Sequence, residues 1–368
     1  MTQKKKVVVG MSGGVDSSVT ACLLAEQGYE VIGITMKTWD YDMAGLSNSS
    51  KKETGCCSLE SINDARSVAV ANGFLHYTID FRDEFGERVI DYFKDEYLHG
   101  RTPNPCVMCN TRVKWDSLLR RAKMLGADYI ATGHYANVRF ENDRYKLSRG
   151  KDLNKDQSYV LWGISQEALS RTLFPLAEYT KPEVRELARK FGLKVADKGE
   201  SYEICFIPDN DYERFLKETV PDLTEKVSGG KIISEAGDVL GEHRGYPFYT
   251  IGQRKGLGLT TEEPVFVTEI DYQSNTITVG SDVSLQHHGL VASQVNFISI
   301  TELTEPLRCT AKIRYKDTPA LCTLVPAMNG MVEVRFDQPK RAITPGQAVV
   351  FYDGEDVLGG GFIHSVLR

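Results

Sequence analysis

The first 132 residues alternate between two hydrophobic patterns. Short apolar runs rich in β-branched residues predict four strands: Val7–Gly10, Glu30–Met36, Leu75–Asp80 and Asp128–Thr132. Apolar residues at helical spacing predict four helices between them: Ser17–Gln27, Leu59–Asn72, Asp83–Leu98 and Lys114–Gly126. This alternation favours an α/β fold in which a parallel sheet is covered on both faces. Right-handed crossovers bring the loops after the strands to one edge, where we expect three to converge on one ligand: Gly10–Asp16, Met36–Trp39 and Thr132–Tyr135.

The pattern changes near Asp209. A short helix is predicted at Asp211–Glu218, and a glycine-rich section with many turns follows it as far as Gly258. Beyond Gly280, apolar runs separated by Pro and Gly predict strands: Leu290–Ile300, Leu307–Tyr315, Ala320–Val325, Met331–Phe336 and Ala348–Tyr352. Short strands without a long helix favour a small antiparallel β-barrel.

Composition places the chain among ordinary globular proteins, and 368 residues give room for two or three domains. The N-terminal residues run directly into a strand pattern, which argues against a signal peptide. No apolar run approaches the roughly 20 residues that span a bilayer, so a cytoplasmic location is expected.

The formal net charge of −6 argues against nucleic-acid binding by total charge, but it allows a local basic surface. One basic segment, offset by Asp116, is either a solvated face or an RNA contact: Arg101, Arg112, Lys114, Arg120, Arg121 and Lys123. A second set alternates along a predicted strand and is expected to share one face: Arg308, Lys312, Arg314 and Lys316.

The eight cysteines fall into three groups. Cys56 and Cys57 are adjacent after a polar stretch, a pattern that binds metal in a minority of cases. Three lie in apolar runs and are expected to be small core residues: Cys22, Cys309 and Cys322. The other three belong to motifs described below: Cys106, Cys109 and Cys205. In a reducing cytosol we expect thiols, so that any disulfide is transient and catalytic.

A glycine turn between the first strand and the first helix is the strongest candidate for a binding site. The string Ser-Gly-Gly-Val-Asp-Ser-Ser at residues 12–18 lets the backbone approach a ligand, and the N–H groups of the following helix favour anions. It lacks the lysine of a Walker A loop and the spacing of a dinucleotide fingerprint. It resembles instead the PP-loop of ATP pyrophosphatases, which implies ATP as ligand. The carboxylate of Asp16 is a candidate ligand for Mg²⁺.

Two cysteine motifs supply candidate sulfur chemistry. Thr102–Asn110 contains two prolines and is expected to form a loop, with Cys109 near the start of the next helix. That position, together with Arg112 and Lys114, favours a thiolate at Cys109. The C-x-x-C spacing alone is equally typical of a redox pair, half a zinc site or chance. Cys205 stands in an apolar run and, taken alone, is equally well explained as a core residue.

Six motifs in a fixed order identify a family. They are S-G-G-V-D-S-S, N-P-C-V-M-C-N, T-G-H-Y, K-D-Q-S-Y, E-I-C-F-I and G-Q-R-K-G-L-G, the last at Gly252–Gly258. In these motifs the chain resembles the bacterial tRNA-specific 2-thiouridylases over essentially its whole length. The resemblance implies a PP-loop catalytic domain at residues 1–208, a small central domain at 209–279 and a C-terminal β-barrel at 280–368. The last two would help to hold tRNA.

The resemblance also implies a role for each motif. Cys109 matches the nucleophilic cysteine of the family, and Cys205 matches the cysteine that carries a persulfide. The nucleotide site would comprise Gly10, Met11, Ser12, Gly13, Gly14, Val15, Asp16, Ser17, Met36 and Gly133. The target base would lie among Asn104, Pro105 and Cys106. Contacts with tRNA would come from His134, Lys155, Asp156, Gln157, Arg314, Tyr315 and Gln347.

The implied reaction is 2-thiolation of uridine 34 in tRNAs for Lys, Glu and Gln. The C2 oxygen attacks the α-phosphate of ATP, pyrophosphate leaves, and sulfur from a persulfide on Cys205 then displaces AMP. Cys109 either frees sulfide from the persulfide or resolves the bond between Cys205 and the transferred sulfur. Both versions leave a Cys109–Cys205 disulfide for an outside thiol to reduce. A cysteine desulfurase or relay protein would supply the sulfur.

Two positions depart from the common family pattern. Cys106 stands where many members have Asp, so an acid–base role cannot be transferred to it, and Glu203 stands where a common form has Gly. One alternative mechanism places a [4Fe–4S] cluster on Cys106, Cys109 and Cys205. Two alternative functions are an amidotransferase-type synthetase that shares the PP-loop, and a non-catalytic RNA-binding protein that keeps ATP as a ligand. The paired cysteines and the lack of a glutaminase-sized segment argue against the synthetase, and the two intact cysteines favour an enzyme.

Overall fold

The structure is a computed structural model that describes residues 4–39, 58–199 and 204–367. Its strands are β1 (Lys6–Gly10), β2 (Glu30–Lys37), β3 (Leu75–Asp80), β4 (Tyr129–Ala131), β5 (Ala136–Glu141), β6 (Arg144–Arg149), β7 (Thr172–Leu173), β8 (Lys231–Ser234), β9 (Val239–Glu242), β10 (Phe266–Asp271), β11 (Thr276–Gly280), β12 (Gln286–Phe297), β13 (Leu307–Lys312), β14 (Ala320–Pro326), β15 (Val332–Arg341), β16 (Ala348–Asp353) and β17 (Asp356–Leu367). Its α-helices are α1 (Val15–Glu26), α2 (Leu59–Ala71), α3 (Arg82–Phe85), α4 (Asp91–Leu98), α5 (Pro105–Met108), α6 (Asp116–Met124), α7 (Gln166–Leu169), α8 (Lys181–Lys190), α9 (Tyr212–Thr219) and α10 (Leu223–Lys226). Two π-helical segments follow α3 and α5 in the chain, Gly86–Ile90 and Cys109–Trp115.

The chain divides into two compact units. The first comprises Met1–Val89, Cys106–Asp211 and Glu355–Val357, and the second comprises Ile90–Pro105, Tyr212–Gly354 and Leu358–Arg368. The bounds of the three domains expected from the sequence stay a prediction.

The first unit is built on the expected parallel sheet. Its five strands are ordered β3-β2-β1-β4-β7, and β1 pairs in parallel with both β2 and β4. Val7, Val8 and Val9 of β1 are fully buried. Since successive side chains of a strand point to opposite faces, both faces of the sheet are covered at β1. The α/β fold predicted from the alternating patterns is therefore confirmed.

The first unit also contains elements that the apolar pattern did not predict. Strands β5 and β6 form a hairpin through Asn142 and Asp143, whose φ values of 53° and 58° are those of a type I′ turn. Helix α8 begins with a capping box in which Thr180 and Glu183 satisfy each other's backbone groups. Its start is thus encoded locally, but by polar residues rather than by hydrophobic spacing.

The loop expected at Thr102–Asn110 is partly wrong. Helix α5 begins at Pro105, and Cys109 opens the π-helical segment that follows it. Proline is favoured at the first position of a helix, because the N–H that it lacks has no partner there. Pro105 therefore starts a helix instead of preventing one. A π-helical turn also separates α3 from α4, where one continuous helix was predicted.

The second unit contains two sheets. One has the order β10-β11-β8-β9. The other has the order β12-β15-β14-β13-β16-β17 and is closed by pairing of β12 with β17. Its core includes the fully buried Leu290, Ala311, Leu324, Val334 and Phe351. The small antiparallel barrel predicted from the short apolar runs is confirmed.

Strand β17 closes the barrel but was not predicted, because its apolar pattern is interrupted by three glycines. A Cβ at Gly359 would lie 2.3 Å from the carbonyl oxygen of Asn296, and one at Gly361 would lie 2.8 Å from that of Ser293. The glycines thus permit close approach of β17 to β12.

Within the described ranges, no helix has both the length and the apolar character needed to cross a membrane.

Candidate active site

The turn between β1 and α1 contains Gly13 and Gly14, and inside it the N–H of Ser12 donates to the hydroxyl of Ser17 at 3.2 Å. The N–H of Met11 donates to the carbonyl oxygen of Ile34 at 2.8 Å, which fixes the turn to β2. Gly14 is the N-cap residue of the 12-residue helix α1, and no side chain caps that end. The hydroxyls of Ser17 and Ser18 donate instead to the carbonyl oxygen of Gly14, at 3.2 and 2.9 Å. An N-terminus without a side-chain cap is suited to an anion.

Close approaches require glycine at two predicted site positions. Gly13 has a φ of +71°, and a Cβ there would lie 2.1 Å from the carbonyl oxygen of Ser61. A Cβ on Gly133 would lie 2.7 Å from the backbone nitrogen of Ser17. The loop after β4 therefore packs on the first turn of α1. The structure brings together the predicted nucleotide residues of the first loop and Gly133.

A hydrogen-bond network joins the loop after β1 to strand β2, next to the half-buried Met36 of that strand. The hydroxyl of Thr35 donates to the carbonyl oxygen of Met11 at 2.8 Å and lies 2.8 Å from Nε2 of His76. Burial lowers the pKa of His76, and the positive charge of Arg66 lowers it further. The imidazole is therefore neutral at pH 7 and adds no positive charge near the glycine loop at residues 10–18, which we call the anion loop.

Asp16, in the first turn of α1, is held by two side chains from elsewhere in the first unit. Nζ of Lys181 lies 2.7 Å from each carboxylate oxygen, and the hydroxyl of Tyr135 donates to Oδ1 at 2.8 Å. The Lys181 side chain is 9% exposed and that of Asp16 is 31% exposed. A nearly buried ammonium thus stands beside the loop.

The sequence motifs do not identify this lysine or a second one that also reaches the loop. Lys198 donates to the carbonyl oxygen of Gly13 at 3.2 Å and pairs with Asp64 at 2.6 Å. Lys181 and Lys198 follow the loop by more than 160 residues. The capping box signals that a helix starts near Lys181, but only the packing of α8 against α1 brings that lysine to the loop.

The K-D-Q-S-Y motif is joined to the loop after β4. The N–H of Gln157 donates to the carbonyl oxygen of Tyr135 at 2.9 Å, and the N–H of Tyr135 donates to Oε1 of Gln157 at 3.1 Å. Asp156 is buried and accepts from the N–H and the hydroxyl of Ser158, both at 3.0 Å. Asp156 therefore stabilises the local turn from Asp156 to Ser158. The roles of Lys155, Asp156 and Gln157 toward tRNA stay predictions.

His134 is packed inside the first unit. Its Nδ1 lies 2.8 Å from the hydroxyl of Thr132, and its ring centroid lies 5.5 Å from that of Trp115. Burial, followed by the charge of Lys114, lowers the pKa of His134 well below its usual value of 6.5. The ring is neutral at pH 7. Its contact with tRNA stays a prediction.

The three motif cysteines are accessible to different degrees. Cys106 is exposed, and Cys109 and Cys205 are partly exposed. Cys106 and Cys109 lie on successive helical segments, α5 and Cys109–Trp115. Cys205 lies in a stretch without helix or strand. Partial exposure is compatible with reaction of Cys109 and Cys205 with an outside sulfur donor.

The segments that carry Cys109 and Cys205 pack against one shared neighbour. Phe206, beside Cys205, contacts Phe85 edge to face with ring centroids 5.7 Å apart. Arg88, three residues after Phe85, donates to the carbonyl oxygen of Arg112 at 2.8 Å. The segment Arg82–Ile90 thus contacts both cysteine-bearing segments. One unit therefore contains an anion loop with a nearby ammonium and two accessible thiols, a combination suited to phosphate and sulfur chemistry.

The remaining described cysteines are core residues, as predicted. Cys22 is buried in α1, where burial and then the charge of Glu26 raise its pKa to about 11. Cys309 and Cys322 are buried opposite each other on β13 and β14, with their sulfurs 3.6 Å apart. The predictions for Cys56, Cys57 and Glu203 concern residues outside the described ranges.

In the second unit, Gln347 contacts the predicted target-base segment. Its amide donates to the carbonyl oxygens of Thr102 and Pro103 at 3.3 and 2.9 Å. The N–H of Asn104 is 3.3 Å from the hydroxyl of Tyr92. Pro105 is buried. Gln347 therefore positions the T-P-N-P segment, and direct contacts of this segment and of Gln347 with RNA stay predictions.

The predicted basic face of one barrel strand is wrong. Strand β13 ends at Lys312, and Arg314 and Lys316 lie in the turn that follows. The strand ends because the carboxylate of Asp317, rather than a neighbouring strand, accepts from the N–H of Ile313 at 3.2 Å. Within the turn, the guanidinium of Arg314 donates to the carbonyl oxygens of residues 341 and 342 at 3.3 and 2.9 Å. Tyr315 is 40% exposed, with the ammonium of Lys312 6.0 Å from its ring centroid.

Three family models match successive parts of the chain. The tRNA methyl transferase HUP domain matches residues 5–209, the tRNA methyl transferase PRC-barrel domain residues 213–281, and the aminomethyltransferase beta-barrel domain residues 287–363.

Full-length relatives agree with these matches. The chain is 58% identical to the tRNA-specific 2-thiouridylase MnmA of Salinibacter ruber, over 100% of this chain and 96% of that protein. It is 57% identical to the protein of the same name from Amoebophilus asiaticus, over 100% and 97%. The match to the solved structure of a 4-thiouridine synthetase in complex with RNA and ATP spans 59% of this chain and 51% of the synthetase chain. Its sequence identity is 18% and its TM-score is 0.37. The chain belongs to the tRNA-specific 2-thiouridylase MnmA family.

Proposed function

We propose that this chain is an ATP-dependent tRNA 2-thiouridylase that converts uridine 34 to 2-thiouridine, with AMP and pyrophosphate as the other products. The observation that carries the proposal is that a single unit holds the glycine loop with its Asp16–Lys181 pair and both cysteine segments. Membership of the family supplies the substrate class.

The first step makes the C2 oxygen a good leaving group. That oxygen bonds to the α-phosphorus of ATP, the bond from this phosphorus to the bridging oxygen breaks, and pyrophosphate leaves with the electron pair. The N–H groups at the start of α1, where no side chain caps the helix, would face this charge, and donors already in place stabilise a developing anion. Gly10–Ser17 would hold the phosphates, with Met36 and Gly133 beside the adenosine.

The second step transfers sulfur. A persulfide on Cys205 delivers its outer sulfur to C2, and AMP leaves with the C2 oxygen. The sulfur–sulfur bond breaks when the Cys109 thiolate bonds to the inner sulfur, either before the transfer, which frees sulfide, or after it. Either order yields a Cys109–Cys205 disulfide, which two electrons from an external thiol return to the reduced state.

Mg²⁺ fits this site mainly as an ion carried by the nucleotide. Among the described residues, no group of three His, Cys, Asp or Glu side chains is placed to hold a metal. Asp16 offers one carboxylate beside the loop. Mg²⁺ commonly uses one or two carboxylates together with substrate phosphates and water, so Asp16 would be its protein ligand. When bound, the ion neutralises phosphate charge.

The tRNA would contact exposed and basic side chains of both units. Arg112 and Arg120 are exposed on the basic segment of the first unit, whereas Lys123 there is paired with Glu167 at 2.5 Å. Arg314, Tyr315 and Gln347 would contribute from the second unit. The target uridine must leave the anticodon stack to be modified. We propose tRNAs for Lys, Glu and Gln as substrates, a cysteine desulfurase or relay protein as sulfur donor, and the cytoplasm as the location.

The direct experiment is mass spectrometry of tRNA nucleosides after incubation of the protein with tRNA, ATP, Mg²⁺, cysteine and a cysteine desulfurase. We expect 2-thiouridine at position 34 and one AMP per sulfur incorporated. An amidotransferase-type synthetase would instead form an aminated base with ammonia, and a non-catalytic binder would show no tRNA-dependent exchange of pyrophosphate into ATP.

A further inference from the structure

The anion loop itself carries no cationic side chain, since residues 10–18 read Gly-Met-Ser-Gly-Gly-Val-Asp-Ser-Ser. A Walker A loop includes a lysine that reaches the β- and γ-phosphates. Here the fold brings a lysine to the loop from another helix. Lys181 is the first residue of α8, and its ammonium lies 2.7 Å from both carboxylate oxygens of Asp16.

The position of Lys181 is fixed from several sides. Its backbone N–H donates to Asp152 at 2.9 Å, and its ammonium lies 5.9 Å from the ring centroid of Tyr135. Tyr135 in turn donates to Asp16. A long, flexible side chain is thereby held in one place before any ligand arrives, which lowers the entropic cost of binding.

The charges around the anion loop sum to a positive value. The start of α1 carries the equivalent of roughly half a positive elementary charge. Lys181 adds a full positive charge, and Asp16 subtracts one. Lys198 is balanced by its own partner, Asp64. An anion placed against the first turn of α1 would therefore meet a net attraction, and the ammonium of Lys181 lies beside that turn, 2.7 Å from the carboxylate of Asp16.

We propose that Lys181 is the polyphosphate-binding lysine of this site. Its ammonium contacts the β- and γ-phosphates of ATP and then the departing pyrophosphate, while Asp16 holds the lysine in register. The proposal rests on the function proposed above and adds to it the cation that the loop sequence lacks. In the adenylation step the ammonium keeps its proton and offsets the charge that pyrophosphate gains when its bond to the α-phosphorus breaks.

A purely structural role makes a different prediction. If the pair only fastened α1 to α8, loss of Lys181 would affect adenosine and ATP alike through a disturbed pocket. Replacing both members of a buried pair is often neutral for stability, whereas removing one leaves an uncompensated charge. The double variant Asp16→Asn/Lys181→Gln, compared with the wild type in the absence of Mg²⁺ because Asp16 is also the proposed ligand of that ion, therefore separates phosphate recognition from folding.

The test measures equilibrium binding of ATP, AMP and adenosine by calorimetry to the wild type, Lys181→Gln, Lys181→Arg, the double variant and Lys190→Gln. Lys190 is exposed at the other end of α8, so its variant is a control of equal charge loss. We expect Lys181→Gln and the double variant to lose about tenfold or more in ATP affinity, since a hydrogen bond to a charged group is removed. Adenosine affinity should stay within about twofold, Lys181→Arg should recover part of the loss, and Lys190→Gln should match the wild type.

Equal ATP affinity of Lys181→Gln and the wild type would overturn the proposal, and so would parallel losses of ATP and adenosine affinity in the double variant. Thiolation by the wild type is measured separately. If the wild type makes 2-thiouridine and Lys181→Gln binds ATP normally, only the lysine assignment fails. If ATP binding depends on Lys181 but no 2-thiouridine forms, only the proposed function fails.

Discussion

Asp16 links the phosphate loop to two side chains that are distant in sequence, and the role of this residue depends on that link. Its carboxylate accepts from Tyr135 and pairs with Lys181. The sequence motif places the carboxylate of Asp16 beside the proposed phosphate site. The structure shows in addition that this carboxylate pairs with the ammonium of Lys181. Substitution of Asp16 therefore changes both the local charge and the position of Lys181.

We expect Asp16→Ala to abolish thiolation while leaving tRNA affinity largely intact, because the carboxylate lies in the proposed phosphate site. Breaking a buried ion pair by removing one partner costs about 3–5 kcal/mol. Asp16 is 31% exposed, so the loss of stability should be smaller than that. Urea unfolding, filter binding of tRNA and nucleoside analysis check the three parts. Asp16→Asn is the isosteric control, and near-normal turnover by either variant would contradict the assignment.

Cys109 and Cys205 should be distinguishable from the core cysteines by substitution. We expect Cys109→Ser and Cys205→Ser each to abolish 2-thiouridine formation, since the proposed mechanism needs both thiols for sulfur transfer. The controls Cys22→Ala, Cys309→Ala and Cys322→Ala should retain activity, because these side chains are buried in core clusters. Pyrophosphate exchange should persist in Cys205→Ser, since adenylation precedes transfer. Wild-type levels of 2-thiouridine from Cys205→Ser would refute the persulfide role.

Cys106 tests the choice between free thiols and a cluster. It is exposed, and the persulfide scheme needs only Cys109 and Cys205. We therefore expect Cys106→Asp to keep substantial activity, and Cys106→Ala to be impaired less than Cys109→Ser. The measurement is anaerobic purification with iron and sulfide analysis, and activity before and after chelation. About four irons per chain, with activity that follows iron content, would favour the cluster instead.

At the scale of elements, hydrophobic spacing predicted the parallel sheet and most barrel strands, because those elements bury regular apolar faces. It missed elements that are specified by other means. Helix α8 is specified by the Thr180–Glu183 capping box, the β5–β6 hairpin by its turn at Asn142, and β17 by glycines that let it approach β12. In the candidate site, the glycine loop could be found in the sequence, whereas Lys181 could not, since its role depends on the packing of α8 against α1.

The turn after β13 is an element whose contacts revise a sequence-based prediction. Arg314 is held by two backbone carbonyls at its guanidinium, beside the exposed Tyr315. We expect Arg314→Ala to weaken tRNA binding and to reduce the dependence of affinity on salt, since the proposed contact of Arg314 with a phosphate would be lost. Arg308→Ala is the control, because Arg308 on β13 is paired with Asp337 at 2.6 Å. Affinities of Arg314→Ala that match the wild type at several salt concentrations would remove this turn from the docking surface.

At the scale of the whole molecule, buried and half-buried histidines connect folding to pH. Burial is the largest cause of a lowered pKa at His76 and His134 in the first unit and at His243 in the second. Each is paired or packed in its neutral form, as His243 is with the backbone of Asn275 at 3.1 Å. Unfolding exposes these rings to water, where their pKa returns to about 6.5. Protonation therefore favours the unfolded chain.

We expect the free energy of unfolding to fall as pH drops below about 6.5, because the unfolded chain then binds protons that the folded chain does not. Above that pH the contribution of these histidines is fully present. His134 should account for the largest share, since its pKa is lowered most strongly and its ring is 9% exposed. The difference in unfolding free energy between the wild type and His134→Gln, measured in urea, should shrink from pH 8 to pH 5.5. A constant difference for His134→Gln over that range would show that its burial does not couple protonation to stability.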